Sequence, residues 1–295
     1  MILFTFDLDG VLHINPFQRK VFPEVCRRLA PAYLRKEPGG WEQSAGESLS
    51  VHNHEPPVDH FASDVERAVM RLIVAEAKAR LAAGRLVEAY DWDDIVRTVA
   101  AELGYEEPID VRGLVEGACT PPYIGLHPYA REILAALKAR GVRLVTLSNG
   151  FDAYQFPVLR ALGIAAYFDA RVAPDRVGEV KPSPGIFRRA AAALGSEPAC
   201  VVHVGDSLIH DVFGAKRAGS LSVWVHPPLR DALPDVPPWE RPRTPVFAAV
   251  AARAFQRELN VPAYGIERWQ QAVPDYAIAH LKELEGVYEH LQQGR

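Results

Sequence analysis

Two carboxylates two residues apart, Asp7 and Asp9 in Asp7-Leu8-Asp9-Gly10, stand directly after the apolar run Ile2-Leu3-Phe4-Thr5-Phe6. Acids this close repel each other, so a pair facing one pocket calls for a cation or a shared proton. Such carboxylates attack electrophiles, move protons or hold a hard cation through oxygen. Further polar groups close apolar runs or precede helical stretches along the chain: Ser148-Asn149-Gly150, Lys181 in Lys181-Pro182-Ser183-Pro184, and Asp206 with Asp211 in Gly205-Asp206-Ser207-Leu208-Ile209-His210-Asp211. Taken singly, each also fits an ordinary turn, a solvated lysine or a helix N-cap.

The elements that position these groups are read from periodicity. Ile2–Phe6 is a short apolar run bounded by a Gly-containing turn, the pattern of a strand buried in a parallel sheet. From Pro128 onward strands and helices alternate. Strands are expected at 142–147, 168–172, 200–204 and 221–225, and helices at 129–140, 155–162, 185–194 and 211–218. This rhythm predicts an α/β fold, a Rossmann-like parallel sheet with helices on both faces, and such sheets place ligands at the carboxyl ends of their strands. Asp7, Ser148 and Asp206 each follow a strand and fall at that edge.

Between Leu12 and Pro128 the rhythm is broken. Helices are expected at 17–34, 59–85, 91–104 and 111–119, with a polar loop over 36–57. Domain boundaries follow: residues 1–14 and 126–295 form the α/β core, and 15–125 an inserted helical module. His52, His54 and His60 lie near the loop, but nothing in their spacing fixes a ligand geometry, and a solvated loop is preferred to a metal site. Residues 227–245 hold seven prolines and read as an irregular surface excursion. A helix at 246–259, an edge strand at 276–279 and a closing helix at 281–291 are expected after it.

The 295 residues carry 48% hydrophobic and 24% charged side chains and a net charge of -4, values of a globular protein with no electrostatic case for nucleic acid or an anionic membrane. No apolar run approaches a membrane span and the N-terminus lacks a signal-peptide pattern. Cys26, Cys119 and Cys200 suggest neither a disulfide framework nor a zinc motif. A cytoplasmic enzyme with reduced thiols is expected.

The ordered set Asp7-Leu8-Asp9-Gly10-Val11, Leu147-Ser148-Asn149-Gly150, Lys181-Pro182-Ser183-Pro184-Gly185-Ile186-Phe187 and Val204-Gly205-Asp206 through Asp211 resembles the haloacid dehalogenase superfamily. The resemblance covers about 2–15 and 120–226. It implies that Asp7 is a nucleophile forming an aspartyl-phosphate, that Asp9 is the general acid and base, and that Ser148, Asn149 and Lys181 bind substrate, with Ser148 and Lys181 also serving the chemistry. It further implies Mg²⁺ held by Asp7, the Asp9 carbonyl and Asp206, with Asp211 binding directly or supporting from behind. Residues 15–125 then resemble the C1-type helical cap. Dehalogenases of the family lack the second carboxylate of the first motif. Asp9 is present here, which favours a phosphate ester, and a phosphatase acting on a small phosphorylated metabolite is expected. A phosphomutase of the same superfamily and a non-catalytic binding protein on the same fold are the alternatives. Oligomeric state and the particular substrate are not legible.

Overall fold

The computed structural model describes residues 2–37, 61–258 and 264–294. The His52, His54 and His60 stretch, most of the expected 36–57 loop and the start of the helix expected from Asp59 lie outside them. The chain divides into two compact units: Met1–Ile14, Leu126–Asp152 and Leu162–Arg295 in one, and Asn15–Gly125 with Ala153–Ala161 in the other.

The first unit is built on a parallel sheet. Its strands in chain order are β1 (Leu3–Phe6), the two-residue strands β2 (His13–Ile14) and β3 (Gly125–Leu126) at the points where the chain passes between units, β4 (Arg143–Leu147), β5 (Ala170–Val172), β6 (Val201–Gly205), β7 (Leu221–Val225) and β8 (Tyr276–Ile278). Six of them form one sheet in the order β5-β4-β1-β6-β7-β8, every neighbouring pair parallel. β1 is central: Leu3 to Phe6 pair with Arg143 to Thr146 on one side and with Val201 to Val204 on the other. All four β1 residues are buried, which explains an apolar run without alternation. The order reverses at β1, with β4 on one flank and β6 on the other. This is the topological switch point where open α/β sheets form a crevice at their carboxyl ends.

Helices cover both faces. Leu3, Val145, Leu147 and Val201 pack against Ile186, Phe187 and Ala190 of the helix Pro184–Ala192. Phe4 points the opposite way, its ring 6.5 Å from that of Tyr288 in the helix Leu284–Gln293. The segment after β7 departs from the expected irregular excursion. It contains a helical turn at Leu229–Ala232, another at Arg241–Arg243, and then the helix Pro245–Glu258. Proline is tolerated in these places because it sits at or next to helix starts, where its missing N–H costs nothing. Trp224, Phe247, Ala251, Phe255 and Leu208 close a common core there. The helix expected at 211–218 begins earlier, at Leu208.

The second unit is helical: Phe22–Lys36, Asp64–Ala82, Trp92–Glu102 and Val111–Gly117, with the 153–161 stretch of the helix Asp152–Ala161. The sequence pattern alone places that last stretch in the α/β core. Tyr154 explains its company: its ring lies 5.5 Å from Phe17, and its hydroxyl donates to Asp93 Oδ2 at 2.9 Å. Arg80 is buried in the same unit and bonded to Glu76, Thr98 and the Glu88 carbonyl. Among the described residues, no helix is long and apolar enough to cross a membrane.

Candidate active site

β1, β4 and β6 end side by side, so the polar groups that follow them converge. Asp7 extends the ladder by one residue, its N–H donating to the Val204 carbonyl at 2.9 Å. Oxygens of Asp7, Asp206 and Asp211 lie within 4.8 Å of one another. Lys181 enters this group from the loop before the helix Pro184–Ala192. Its ammonium is 2.8 Å from Asp7 Oδ1 and 2.7 Å from Asp211 Oδ1, and it is buried.

Asp206 is placed by a glycine. Gly10 has φ +77°, open to residues without a Cβ, and a Cβ added there would collide with Asp206 Oδ2. The Asp206 carboxylate therefore occupies the space that a side chain at position 10 would fill. From the other side, Trp224 Nε1 donates to the Asp206 carbonyl at 2.8 Å.

Asp211 is buried and heavily engaged. Its Oδ1 accepts from Lys181 and faces His203 Nε2 at 3.0 Å, while Oδ2 accepts from the Ser207 N–H at 2.9 Å. A carboxylate can only accept, so neutral His203 carries its proton on Nε2 and Nδ1 accepts a hydrogen bond from the Thr5 hydroxyl at 2.8 Å. Thr5, His203, Asp211, Lys181 and Asp7 thus form one buried chain. Phe187 packs edge-on against the imidazole with ring centres 5.0 Å apart.

The electrostatics follow from burial. Burial pushes the Asp7 carboxyl up to about 8, with Lys181 opposing and the Asp211 and Asp206 carboxylates adding to the rise. Burial alone would lower Lys181, but the Asp211 and Asp7 carboxylates outweigh it and hold the ammonium above the ordinary lysine value. Burial would raise Asp211, yet Lys181 and His203 hold it well below the usual carboxylate range. Burial keeps His203 below its ordinary value against the pull of Asp211. Lys181 cannot fully ionise both partners. Asp211 is its anion, since His203 and the Ser207 N–H reinforce that choice, and Asp7 is the carboxyl left in tension.

The three-carboxylate group fits a divalent cation of the Mg²⁺ kind. Its donors are all oxygen, the choice of hard cations, and the excess of carboxylates over ammonium leaves negative charge to neutralise. Asp7 and Asp206 suit such an ion. Asp211, with both oxygens already committed inside the protein, is better placed to hold Lys181.

The other expected residues fall as follows. Ser148 is buried at the end of β4, its Oγ accepting from the Gly150 N–H at 3.0 Å. Asn149 is expected from the sequence to face substrate. Its amide grips the Lys181 peptide, Oδ1 accepting from the N–H at 2.7 Å and Nδ2 donating to the carbonyl at 3.1 Å. Asp9 lies apart from the three-carboxylate group, 37% exposed, with Oδ1 3.5 Å from His13 Nδ1. Thr5 and His203 escape the sequence reading. Their signal is a polar residue inside each of two otherwise apolar strands, Phe4-Thr5-Phe6 and Val202-His203-Val204, where burial demands a partner.

Known proteins match this architecture. A phosphoserine phosphatase of Thermus thermophilus is 38% identical over 113 residues, 38% of this chain and 45% of that protein. A glyceraldehyde 3-phosphate phosphatase of Methanopyrus kandleri is 34% identical over 136 residues, 45% of this chain and 57% of that protein. A phosphoglycolate phosphatase of Neisseria gonorrhoeae is 41% identical over 99 residues, 34% of this chain and 42% of that protein. The chain thus spans about half the length of the curated relatives it matches. The crystal structure of a HAD phosphatase from Thermococcus onnurineus superposes with a TM-score of 0.59 at 21% identity, over 98% of both chains. An L-2-haloacid dehalogenase from Xanthobacter autotrophicus superposes with a TM-score of 0.54 at 20% identity, over 98% of this chain and 99% of that one. These two share the fold. The family model for haloacid dehalogenase-like hydrolases runs from residue 2 to residue 219, through every strand end that carries an acid of the group, and the chain belongs to that family.

Proposed function

We propose that the chain is a Mg²⁺-dependent phosphatase that cleaves the monoester of a small phosphorylated metabolite through an aspartyl-phosphate on Asp7. The observation that supports it best is Lys181, an ammonium held by Asp7 and Asp211 at the carboxyl edge of β1. Phosphoryl transfer depends on positioning and charge neutralisation, and this arrangement supplies both.

In the first step a carboxylate oxygen of Asp7 attacks phosphorus and the bond to the ester oxygen breaks. The leaving oxygen takes its proton from Asp9. In the second step water attacks the phosphorus of the aspartyl-phosphate, Asp9 takes the proton from that water, and the bond to Asp7 breaks to release phosphate. Ser148 donates a hydrogen bond to a non-bridging oxygen, and Lys181 balances charge on Asp7 and the phosphoryl group. Mg²⁺, held by Asp7, Asp206 and the Asp9 carbonyl, would add positive charge beside the phosphoryl oxygens and favour the ionised form of Asp7. Asn149 and Asp211 act through Lys181, the first on its peptide and the second on its ammonium. The helical unit 15–125 is assigned the choice of substrate, as a cap of the C1 type. Asp9 favours an ester over a halide, because an alkoxide leaving group needs a proton and a halide does not. The phosphatase names of the relatives point the same way.

The test is a screen of small phosphorylated metabolites and an aryl phosphate with Mg²⁺ or with excess chelator, reading released phosphate and isomerised product together. Phosphate release that chelator abolishes and Mg²⁺ restores is expected. Isomerised product without phosphate would make the chain a mutase, and no turnover of any ester would leave a binding protein.

A further inference from the structure

The segment after β7 lies outside the family match, which ends at residue 219, yet it reaches into the site. Glu258, the last residue of the helix Pro245–Glu258, is buried. Its Oε2 accepts from Ser207 Oγ at 2.6 Å and from the Ile209 N–H at 3.0 Å. Its Oε1 accepts from the Leu208 N–H at 2.9 Å. Ser207 Oγ in turn accepts from the His210 N–H at 2.9 Å, which leaves its own proton for Glu258. The Leu208, Ile209 and His210 N–H groups among these are orphan backbone donors at the start of the helix that follows Asp206. The same Pro245–Glu258 helix carries Phe247, which packs edge-on to Trp224 with ring centres 5.7 Å apart, and Trp224 holds the Asp206 carbonyl.

We propose that Glu258 is a positioning residue: its carboxylate fixes the Ser207–Ile209 turn and thereby the Asp206 carboxylate, so that the segment after β7 is part of the site's machinery. An ionised carboxylate suits this place because all three of its partners donate. Glutamine does not. With carbonyl oxygen at the Oε1 position, its amide nitrogen faces the Ile209 N–H; with the amide turned over, it faces the Leu208 N–H. Either way one buried N–H loses its acceptor. Groups that orient a metal's ligands from behind are typically worth about 10–100-fold in metal affinity.

The proposal rests on the reading of the Asp7–Asp206 group as a cation site, and it is tested on the whole chain without turnover. Mn²⁺ binding is followed by loss of the free-ion electron paramagnetic resonance signal, and backbone amide exchange is followed over residues 206–213 in chelator. Glu258→Gln is compared with wild type and with Glu283→Gln. Glu283 pairs with buried Arg241 in the same segment at 2.8 Å and accepts from the Ala279 N–H, and among the described residues its hydrogen bonds go to these two and not to the Asp206 turn, so it controls for a general loss of stability. The expected result is a Mn²⁺ dissociation constant raised about tenfold or more in Glu258→Gln, with faster exchange at 207–209, and neither change in Glu283→Gln. Glu258→Asp, which keeps the charge, should recover part of the affinity. If Glu258→Gln fails to fold, Ser207→Ala, which deletes one donor, is expected to weaken Mn²⁺ binding in the same direction. Wild-type affinity in a folded Glu258→Gln, or in Ser207→Ala, overturns the proposal, as does an equal loss in Glu283→Gln. A wild-type chain that binds no Mn²⁺ overturns the cation site and this proposal together. One that binds Mn²⁺ but cleaves no ester overturns the phosphatase reading alone.

Discussion

Replacing Lys181 by methionine removes the ammonium from between Asp7 and Asp211 and keeps most of the side-chain volume. Both carboxylates then lose a partner at 2.8 and 2.7 Å in a site where the lysine side chain is 3% exposed. Breaking one side of a buried ion pair costs about 3–5 kcal/mol, because the remaining charge is uncompensated. The second change, Asp211→Asn, should relieve much of that cost. With Lys181 gone, the introduced amide oxygen takes the Ser207 N–H and the introduced NH₂ donates to His203 Nε2. His203 then moves its proton to Nδ1 and donates to the Thr5 hydroxyl, which accepts as readily as it gives. Asp7 meets the loss of Lys181 by keeping its proton, since burial already pushes it to about 8. The double variant should therefore be about 1–3 kcal/mol more stable than the sum of the single effects, the usual coupling of residues in one network. Denaturant unfolding at pH 7 in chelator, so that no cation substitutes for the lysine, measures the cycle. Both single variants and the double variant should lack phosphatase turnover, which separates rescued stability from function. Strict additivity, or a Lys181→Met chain as stable as wild type, would refute the account of the buried chain.

Three further outcomes are expected. Gly10→Ala should lose about 1–2 kcal/mol of stability from its positive φ, and on the order of 10²-fold in turnover, because its Cβ displaces the Asp206 carboxylate; aryl phosphatase rates and unfolding curves check it, and unchanged turnover would contradict the placement of Asp206. Asp9→Asn should lose about 10²–10⁴-fold with an alkyl phosphate but still show a rapid burst of nitrophenol from an aryl phosphate, whereas Asp7→Asn should show no burst; rapid mixing decides, and a burst from Asp7→Asn would exchange the roles. Burial holds His203 below its unfolded value of 6.5, so below pH 6.5 the unfolded chain binds a proton there that the folded chain refuses, and the His203 contribution to stability should fall as pH falls through that range, against the opposite contribution of Asp7, whose raised value lets the folded chain bind a proton the unfolded chain does not; the difference in unfolding free energy between wild type and His203→Gln isolates the histidine, and a difference that does not change with pH would place the proton elsewhere.

Much of this architecture is legible in the sequence because strands and helices of an α/β core announce themselves one at a time. The apolar runs ending at Asp7, Ser148 and Asp206 are local patterns, and each polar residue stands where its strand stops. Other features depend on partners far along the chain. Tyr154 sits in an ordinary amphipathic stretch, and its contacts with Phe17, Asp91 and Asp93, far along the chain, tie 153–161 to the helical unit. Asn149 has the residue type of a substrate ligand, and only the fold shows that its amide also bonds the Lys181 peptide. Thr5 and His203 are 198 residues apart, and Ser207 and Glu258 are 51 apart, so no local pattern joins them. The proline-rich stretch reads as irregular because proline breaks periodicity, although short helical turns start readily beside it.

The central place of β1 also bears on how the chain is made. The strand with Asp7 is made before both of its neighbours, which come from residues 143–146 and 201–204. Until Val201 has been translated, one edge of a wholly buried strand has no native partner. At roughly 5–20 residues per second, the interval between Phe6 and Val201 is on the order of ten to forty seconds. An unpaired apolar edge is a template for association with other chains. A nascent chain stalled before β6 should therefore depend on chaperones for solubility. The helices Phe22–Lys36, Asp64–Ala82, Trp92–Glu102 and Val111–Gly117 are all made before either neighbour of β1, and should resist protease before the sheet does.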